Sequence, residues 1–299
     1  MKTMRLAVGA LIAFSLAGCS AAEPDRGDVG EDVAAATGDF RHGVWVYGVD
    51  RLLKSPDARN DLVKFALANK VNNIYLSVKL EVFDNGANED ELTKLLERLF
   101  GNGIFAEALL GSDTGYDAVK NTLDKVLTYN SKYKEDPDLR RRFRGLHLDF
   151  EPWKNTGADN AWVDGLIRDY REVARQLEVK GVSIPIAADV SGAKMIDDAI
   201  VSPQKRQAIL DSVTRLVLMQ YETPNDQTVI NRTAAFFAGV GPSSARVIVA
   251  VRSADFPDAA LVTVNKVEET FKAKPAYGGW SIYDYCAWRK LQPSSPGCP

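Results

Sequence analysis

Between residues 43 and 283, short β-branched or aromatic runs alternate with longer amphipathic segments. Eight such runs stand out, at 43–47, 73–78, 103–110, 144–150, 182–189, 215–221, 246–251 and 277–283. Regular alternation at a spacing of roughly 30–40 residues implies right-handed βαβ units and a parallel sheet. Eight units in a row fit a closed (β/α)8 TIM barrel of the α/β class. An open doubly wound sheet more often carries about five or six strands and a Gly-rich first turn, which is absent here. The helices have recognisable starts. Ser55-Pro56-Asp57 opens one whose Leu62, Phe65 and Ala66 recur at three- and four-residue intervals. Residues 160–179 put Trp162, Leu166, Tyr170, Val173 and Leu177 on one stripe, and Ser202-Pro203 and Asp258 begin two more helices. No interior linker interrupts the series, so residues 39–299 read as one barrel domain, expected to be monomeric.

A barrel of this kind carries its chemistry at the C-terminal ends of its strands. The polar or aromatic residues there include Tyr47, Ser77, Glu107, Glu151, Trp153, Asp189, Tyr221, Glu222, Arg252, Tyr283 and Asp284. Carboxylates beside aromatic rings suit carbohydrate, whose C–H faces stack on rings and whose hydroxyls bond to acids. The fourth run is the most specific. In Gly145-Leu146-His147-Leu148-Asp149-Phe150-Glu151 the apolar side chains point one way and His147, Asp149 and Glu151 the other. Burying unpaired carboxylates is costly, so this polar face is expected to open into a cleft. Pro152 then stops the ladder, leaving Glu151 at the strand's end. Two acids one residue apart, about 6–7 Å along a strand, resist joint ionisation. Glu151, nearer the cleft, is the candidate proton donor, and Asp149, set deeper, the group that tunes it. Structural alternatives stand beside these readings. The acids could form a network with His147 and a barrel arginine, Arg252 could be a salt-bridge partner, and Trp153 could be loop packing rather than a sugar platform. Trp162 reads as core.

Composition removes several function classes. A net charge of -3 and a pI near 5.6 leave no basic footprint for nucleic acid. Two histidines and three cysteines, with no metal-ligand spacing among them, give no reason to expect a metal, and no cofactor motif is present.

The N-terminus reads as a separate unit. Lys2 and Arg5 precede an apolar run over residues 6–17, too short to span a bilayer permanently and suited to a signal peptide. Leu16-Ala17-Gly18-Cys19 follows and resembles the bacterial lipoprotein box. That resemblance implies cleavage after residue 18, lipidation of Cys19 and a membrane anchor. Residues 19–38, poor in large apolar side chains, read as a flexible tether. Ser20 is not the aspartate associated with inner-membrane retention, so the expected address is the bacterial cell envelope, at the outer membrane if the host is Gram-negative. In an oxidising compartment Cys286 and Cys298 form an even pair that could close a disulfide and pin the tail.

Three segments together resemble glycoside hydrolase family 18. Residues 145–151 are similar to that family's fourth-strand Asp-Gly-x-Asp-x-Asp-x-Glu, Leu218-Met219-Gln220-Tyr221-Glu222 to its sixth-strand Met-x-Tyr-Asp, and Gly278-Gly279-Trp280-Ser281-Ile282-Tyr283 to its eighth-strand Gly-Gly-x-Met-x-Trp. The matches fall in order and span about residues 40–290. The resemblance implies that Glu151 is the acid, that Asp149 orients the substrate's N-acetyl group in substrate-assisted catalysis, and that Tyr221 bonds to the same group. Tyr283 takes the place of the tryptophan beneath the sugar. Departures accompany the matches, because Arg144 and His147 replace the first two aspartates, Ser281 replaces methionine and Tyr283 replaces tryptophan. These suggest a divergent branch with a different sugar. His147 could pair with Asp149. No carboxylate ends strand seven (Val251-Arg252-Ser253), which argues against a two-glutamate retaining scheme, while Glu222 could serve as a second carboxylate across the cleft. The leading expectation is therefore a membrane-tethered glycosidase with His147, Trp153, Glu222, Arg252, Tyr283, Asp189 and Tyr47 contacting substrate. The alternatives are a non-catalytic glycan-binding lipoprotein and a structural envelope protein.

Overall fold

The computed structural model describes residues 40–133, 138–154, 160–223, 225–291 and 295–298. Cys19 and the signal, lipidation and tether expectations lie outside the described residues.

Eight parallel strands close in sequence order, with β1 pairing both β2 and β8. They are β1 (Arg41–Val46), β2 (Asn73–Ser77), β3 (Phe105–Ser112), β4 (Gly145–Phe150), β5 (Ile186–Ser191), β6 (Arg215–Met219), β7 (Arg246–Arg252) and β8 (Tyr277–Tyr283). Helices α1 (Val49–Leu53), α2 (Pro56–Ala68), α3 (Leu80–Phe83), α4 (Gly86–Gly101), α5 (Tyr116–Ser131), α6 (Trp162–Val179), α7 (Gly192–Met195), α8 (Pro203–Leu210), α9 (Asp226–Ala238), α10 (Ala260–Phe271) and α11 (Tyr285–Trp288) follow the strands. The chain is a (β/α)8 barrel.

Period-two alternation sorts the strand residues into two layers. Leu146, Leu148 and Phe150 of β4 face outward into the large core between sheet and helices, where each is fully buried. The interior holds a smaller apolar cluster of Trp45, Tyr75, Leu109, Val217, Ile248 and Ala250. Gly43 belongs to that interior for a steric reason. A Cβ there would stand 2.4 Å from Ser281 Oγ and 2.5 Å from the Tyr75 hydroxyl, two groups that hydrogen-bond to each other at 2.8 Å.

Local chemistry sets the helix ends. The Ser55 hydroxyl accepts from Ala58 N–H with Pro56 at the first position, and Ser202 caps α8 in the same way ahead of Pro203. Two expected boundaries differ. β5 starts at Ile186 rather than at residue 182, because Pro185 lacks an N–H and supplies only its carbonyl, accepting from Leu146 N–H at 2.9 Å. The helix expected to open at Asp258 begins at Ala260, since Asp258 has φ 62° and its carboxylate pairs with Lys290 at 2.6 Å instead of capping. At the far end, a disulfide joins Cys286 of α11 to Cys298, with Cα atoms 5.5 Å apart. The Cys298 carbonyl also accepts from Arg51 of α1, which holds the tail against the first turn of the barrel.

Candidate active-site cleft

The strand ends of β4 to β8 surround a cleft of about 420 Å³ whose lining includes Asp149, Glu151, Trp153, Lys154, Tyr221, Glu222, Arg252 and Tyr283. A larger depression of about 820 Å³ lies outside the barrel against α5, α6 and α8. Several of its charges pair with one another, Arg175 with Glu172 at 2.7 Å and Lys205 with Asp164 at 2.9 Å. The strand-end cleft is therefore the better candidate site.

Glu151 is fixed just beyond β4. Its N–H donates to the Ser112 carbonyl of β3 at 2.9 Å, and its own carbonyl receives the Lys154 N–H at 3.1 Å, closing a short 3-10 turn over Pro152–Lys154. That turn returns the Lys154 ammonium onto the Glu151 carboxylate, and Asp113 lies 3.8 Å from the same ammonium. Burial raises the Glu151 carboxyl above its ordinary value, and Lys154 partly offsets the rise. Asp149 lies one pleat deeper. Burial first, and then the charges of Asp189 and Glu151, push its carboxyl well above the usual range. Its Oδ1 has no hydrogen-bond partner among the described residues.

Aromatic hydroxyls face these acids. Tyr221 stands 5.5 Å from Tyr283 ring to ring, and its buried hydroxyl has no hydrogen-bond partner among the described residues. Desolvation, reinforced by Asp189 and Asp149, pushes that hydroxyl well above the ordinary tyrosine value, so it remains a donor. Tyr47 hydrogen-bonds with Tyr283, their rings 5.8 Å apart, and buttresses Tyr283 from behind. Trp153 lines the cleft with its other side against Trp162, at 5.3 Å edge to face, so it serves packing and lining together. Arg252 lines the cleft while donating to Asp255 Oδ1 from Nε at 3.0 Å and from Nη2 at 2.6 Å. Asp255 in turn accepts the Glu222 N–H at 2.7 Å, holding that exposed residue in its left-handed conformation at φ 55°.

His147 and Asp189 do not reach the cleft. Both are fully buried beneath its floor, and β4's polar face is open only at its upper end. His147 Nε2 lies 2.8 Å from Asp189 Oδ2, and Nδ1 lies 3.6 Å from Glu107 Oε2. His147 therefore pairs with Asp189 and Glu107 rather than with Asp149. Arg215 and Asn73 donate to Glu107 Oε1 at 2.6 and 2.8 Å. Burial alone would lower the His147 pKa, but Asp189 and Glu107 outweigh it and raise it to about 9. The cost of burying His147 is thus offset by Glu107 of β3 and Asp189 of β5, and Arg215 of β6 in turn pairs with Glu107. Glu107, placed among the strand-end polar residues by the sequence, is instead a buried barrel acid.

Two charged residues of the cleft, Lys154 and Lys194, escaped sequence analysis, as did Asp255, which holds Arg252 from outside the lining. Lys154 carried a weak signal, three residues after Glu151 in a Pro-led turn. Lys194, brought to the rim by the short helix that Ser191 caps, and Asp255, in the 3-10 turn after β7, carried none. Among the described residues no group of three His, Cys, Asp or Glu could hold a metal ion, and no helix is long and apolar enough to cross a membrane.

No protein-family model matches the chain, and no curated protein matches it. Solved structures do. A β-mannanase from Streptomyces thermolilacinus, solved with mannohexaose, is 13% identical over 82% of this chain and 78% of its own, at a TM-score of 0.52. The Bacillus cereus spore cortex-lytic enzyme SleL is 11% identical over 84% and 73%, also at 0.52. At these identities the likeness is one of fold. A GH18 chitinase from Pseudoalteromonas aurantia is 12% identical over 81% and 93%, at 0.49.

Proposed function

We propose that this chain is a divergent glycoside hydrolase of the family 18 type, acting on a glycan outside the cytoplasm and tethered to the envelope through a lipid on Cys19. The observation that carries the reading is the meeting of Glu151, Asp149, Tyr221 and Tyr283 around one cleft at the barrel mouth. The ordered motif matches on strands four, six and eight add to it, as does the barrel fold shared with a mannanase and a cortex-lytic enzyme.

In this reading Glu151 gives its proton to the glycosidic oxygen as the bond to the anomeric carbon breaks. Asp149 accepts from the N–H of an acetamido group of the sugar, and the unpaired Tyr221 hydroxyl orients that group's carbonyl. The carbonyl oxygen attacks the anomeric carbon from the opposite side and forms an oxazolinium, which is how the scheme dispenses with a carboxylate nucleophile on β7. Water, losing a proton to the Glu151 carboxylate, then adds to the anomeric carbon, releases the acetamido oxygen and restores the acid. Tyr283 supplies the ring on which the sugar stacks. Hydrolysis of N-acetylated and plain glycans by the wild type and Glu151→Gln tests this. Loss of turnover by roughly 10²–10⁴-fold with circular dichroism unchanged is expected. Turnover unaffected by the substitution removes Glu151 from the role.

One observation favours a second reading. The Glu151 carboxylate is paired with Lys154, a state suited to an ionised group rather than a waiting acid. A non-catalytic glycan-binding lipoprotein would bind the panel with or without Glu151→Gln and turn over none of it.

A further inference from the structure

The cleft's charges divide unevenly. Arg252 is held by Asp255 and also lies in the field of Glu222, while Lys154 rests between Glu151 and Asp113. Lys194, on the same lining and half-buried, has no ion-pair partner among the described residues. An ammonium on the cleft lining with no ion-pair partner among the described residues, three residues past the end of β5, is placed to receive an anion from a ligand. The Lys154 side chain reaches Glu151 from a three-residue turn and is 51% exposed, so it can exchange one oxygen anion for another with little rearrangement.

We propose that the cleft selects a glycan bearing an anionic substituent, a carboxylate or a sulfate, which Lys194 receives and toward which Lys154 swings away from Glu151. The inference rests on the glycan-directed reading above and names the class of sugar. It also gives the Glu151–Lys154 pair a purpose. With no ligand the lysine opposes the rise that burial imposes on the acid. A bound anion draws the lysine off, and the freed carboxyl can take up the proton it must donate. Lys194 and Lys154 thereby act as specificity and positioning residues, and Glu151 alone transfers a proton. The neutral faces of the sugar remain with Trp153 and Tyr283.

Titration calorimetry with matched oligosaccharide pairs provides the test. One arm uses uronate-containing N-acetylhexosamine oligosaccharides against their carboxyl-reduced forms. The other uses O-sulfated oligosaccharides against their desulfated forms. The anionic member of at least one arm should bind about tenfold tighter at low salt. Lys194→Gln should bring the anionic member's affinity down to that of the neutral member, and Lys194→Arg should retain the preference. Equal binding within both pairs overturns the anionic assignment and leaves the glycan reading standing. A preference that persists in Lys194→Gln overturns the role of Lys194. Failure of every member to bind removes the glycan reading, and this inference with it.

Discussion

At the scale of single residues, the cleft turns on how Lys154 treats Glu151. The carboxyl is pushed up by burial and pulled back by the ammonium, so the two effects separate by substitution. Lys154→Met keeps most of the aliphatic stem and deletes the charge. The Glu151 carboxyl should then titrate at a higher pH than in the wild type, followed by carboxyl-carbon NMR or by the alkaline limb of any turnover profile. An unmoved titration would mean the pair has no electrostatic consequence. His147 offers a second measurement. Its pKa of about 9 lies above the ordinary 6.5, so the folded state holds the proton more tightly than the unfolded chain. The resulting stability is complete below pH ~6.5 and drains away as pH rises through ~9. Melting temperature should therefore fall across that interval. Asp149 and Asp189, whose pKa values are also raised, change stability in the same direction. The chain has only two histidines, so imidazole C–H shifts resolve the point directly. A His147 titrating near 6.5 would contradict the ion pairs drawn around it.

At the scale of elements, β4 divides what a sequence makes legible from what it does not. Period two told which side of the strand each residue faces, and Leu146, Leu148 and Phe150 went outward as the pattern required. The same pattern is silent on depth. How far along the barrel axis a side chain sits depends on the stagger between neighbouring strands, a property of the closed sheet rather than of any one strand. His147 and Glu151 share a face, yet one is sealed beneath Asp149 and the other stands at the mouth. The starts of β5 and α10 differ from the sequence pattern for local reasons instead, a missing N–H at Pro185 and a left-handed backbone at Asp258. The last element carries a prediction of its own. Helix α11 is four residues long and cannot persist by hydrogen bonding alone, so the Cys286–Cys298 bridge and the Arg51 contact anchor it. Replacing both cysteines by serine should cost about 2–3 kcal/mol, read as an earlier denaturant midpoint. A midpoint within error of the wild type would show that the tail is held by its other contacts.

At the scale of the whole molecule, the barrel is two concentric cores that share one sheet. The outer core is apolar and follows directly from the amphipathic helices, which is why eight strand–helix units could be counted from residue order alone. The inner core mixes an aromatic cluster with a charge network. That network spans β2 to β6 through Asn73, Glu107, His147, Asp189 and Arg215, partners separated by up to 108 positions. No local pattern announces contacts of such separation. Opening the sheet at any seam would expose the buried charges and the outer apolar layer together, so neither core can come apart first at low cost. Unfolding should thus be a single cooperative transition. Two tryptophans allow the check, since Trp45 lies in the inner cluster and Trp280 in the outer core, stacked on His42 at 4.4 Å. Fluorescence of the single-tryptophan variants that retain one or the other should fall at the same denaturant concentration as far-ultraviolet circular dichroism. If the Trp45 signal moves before the Trp280 signal, the charged interior loosens while the helical shell holds, and the two cores are independent.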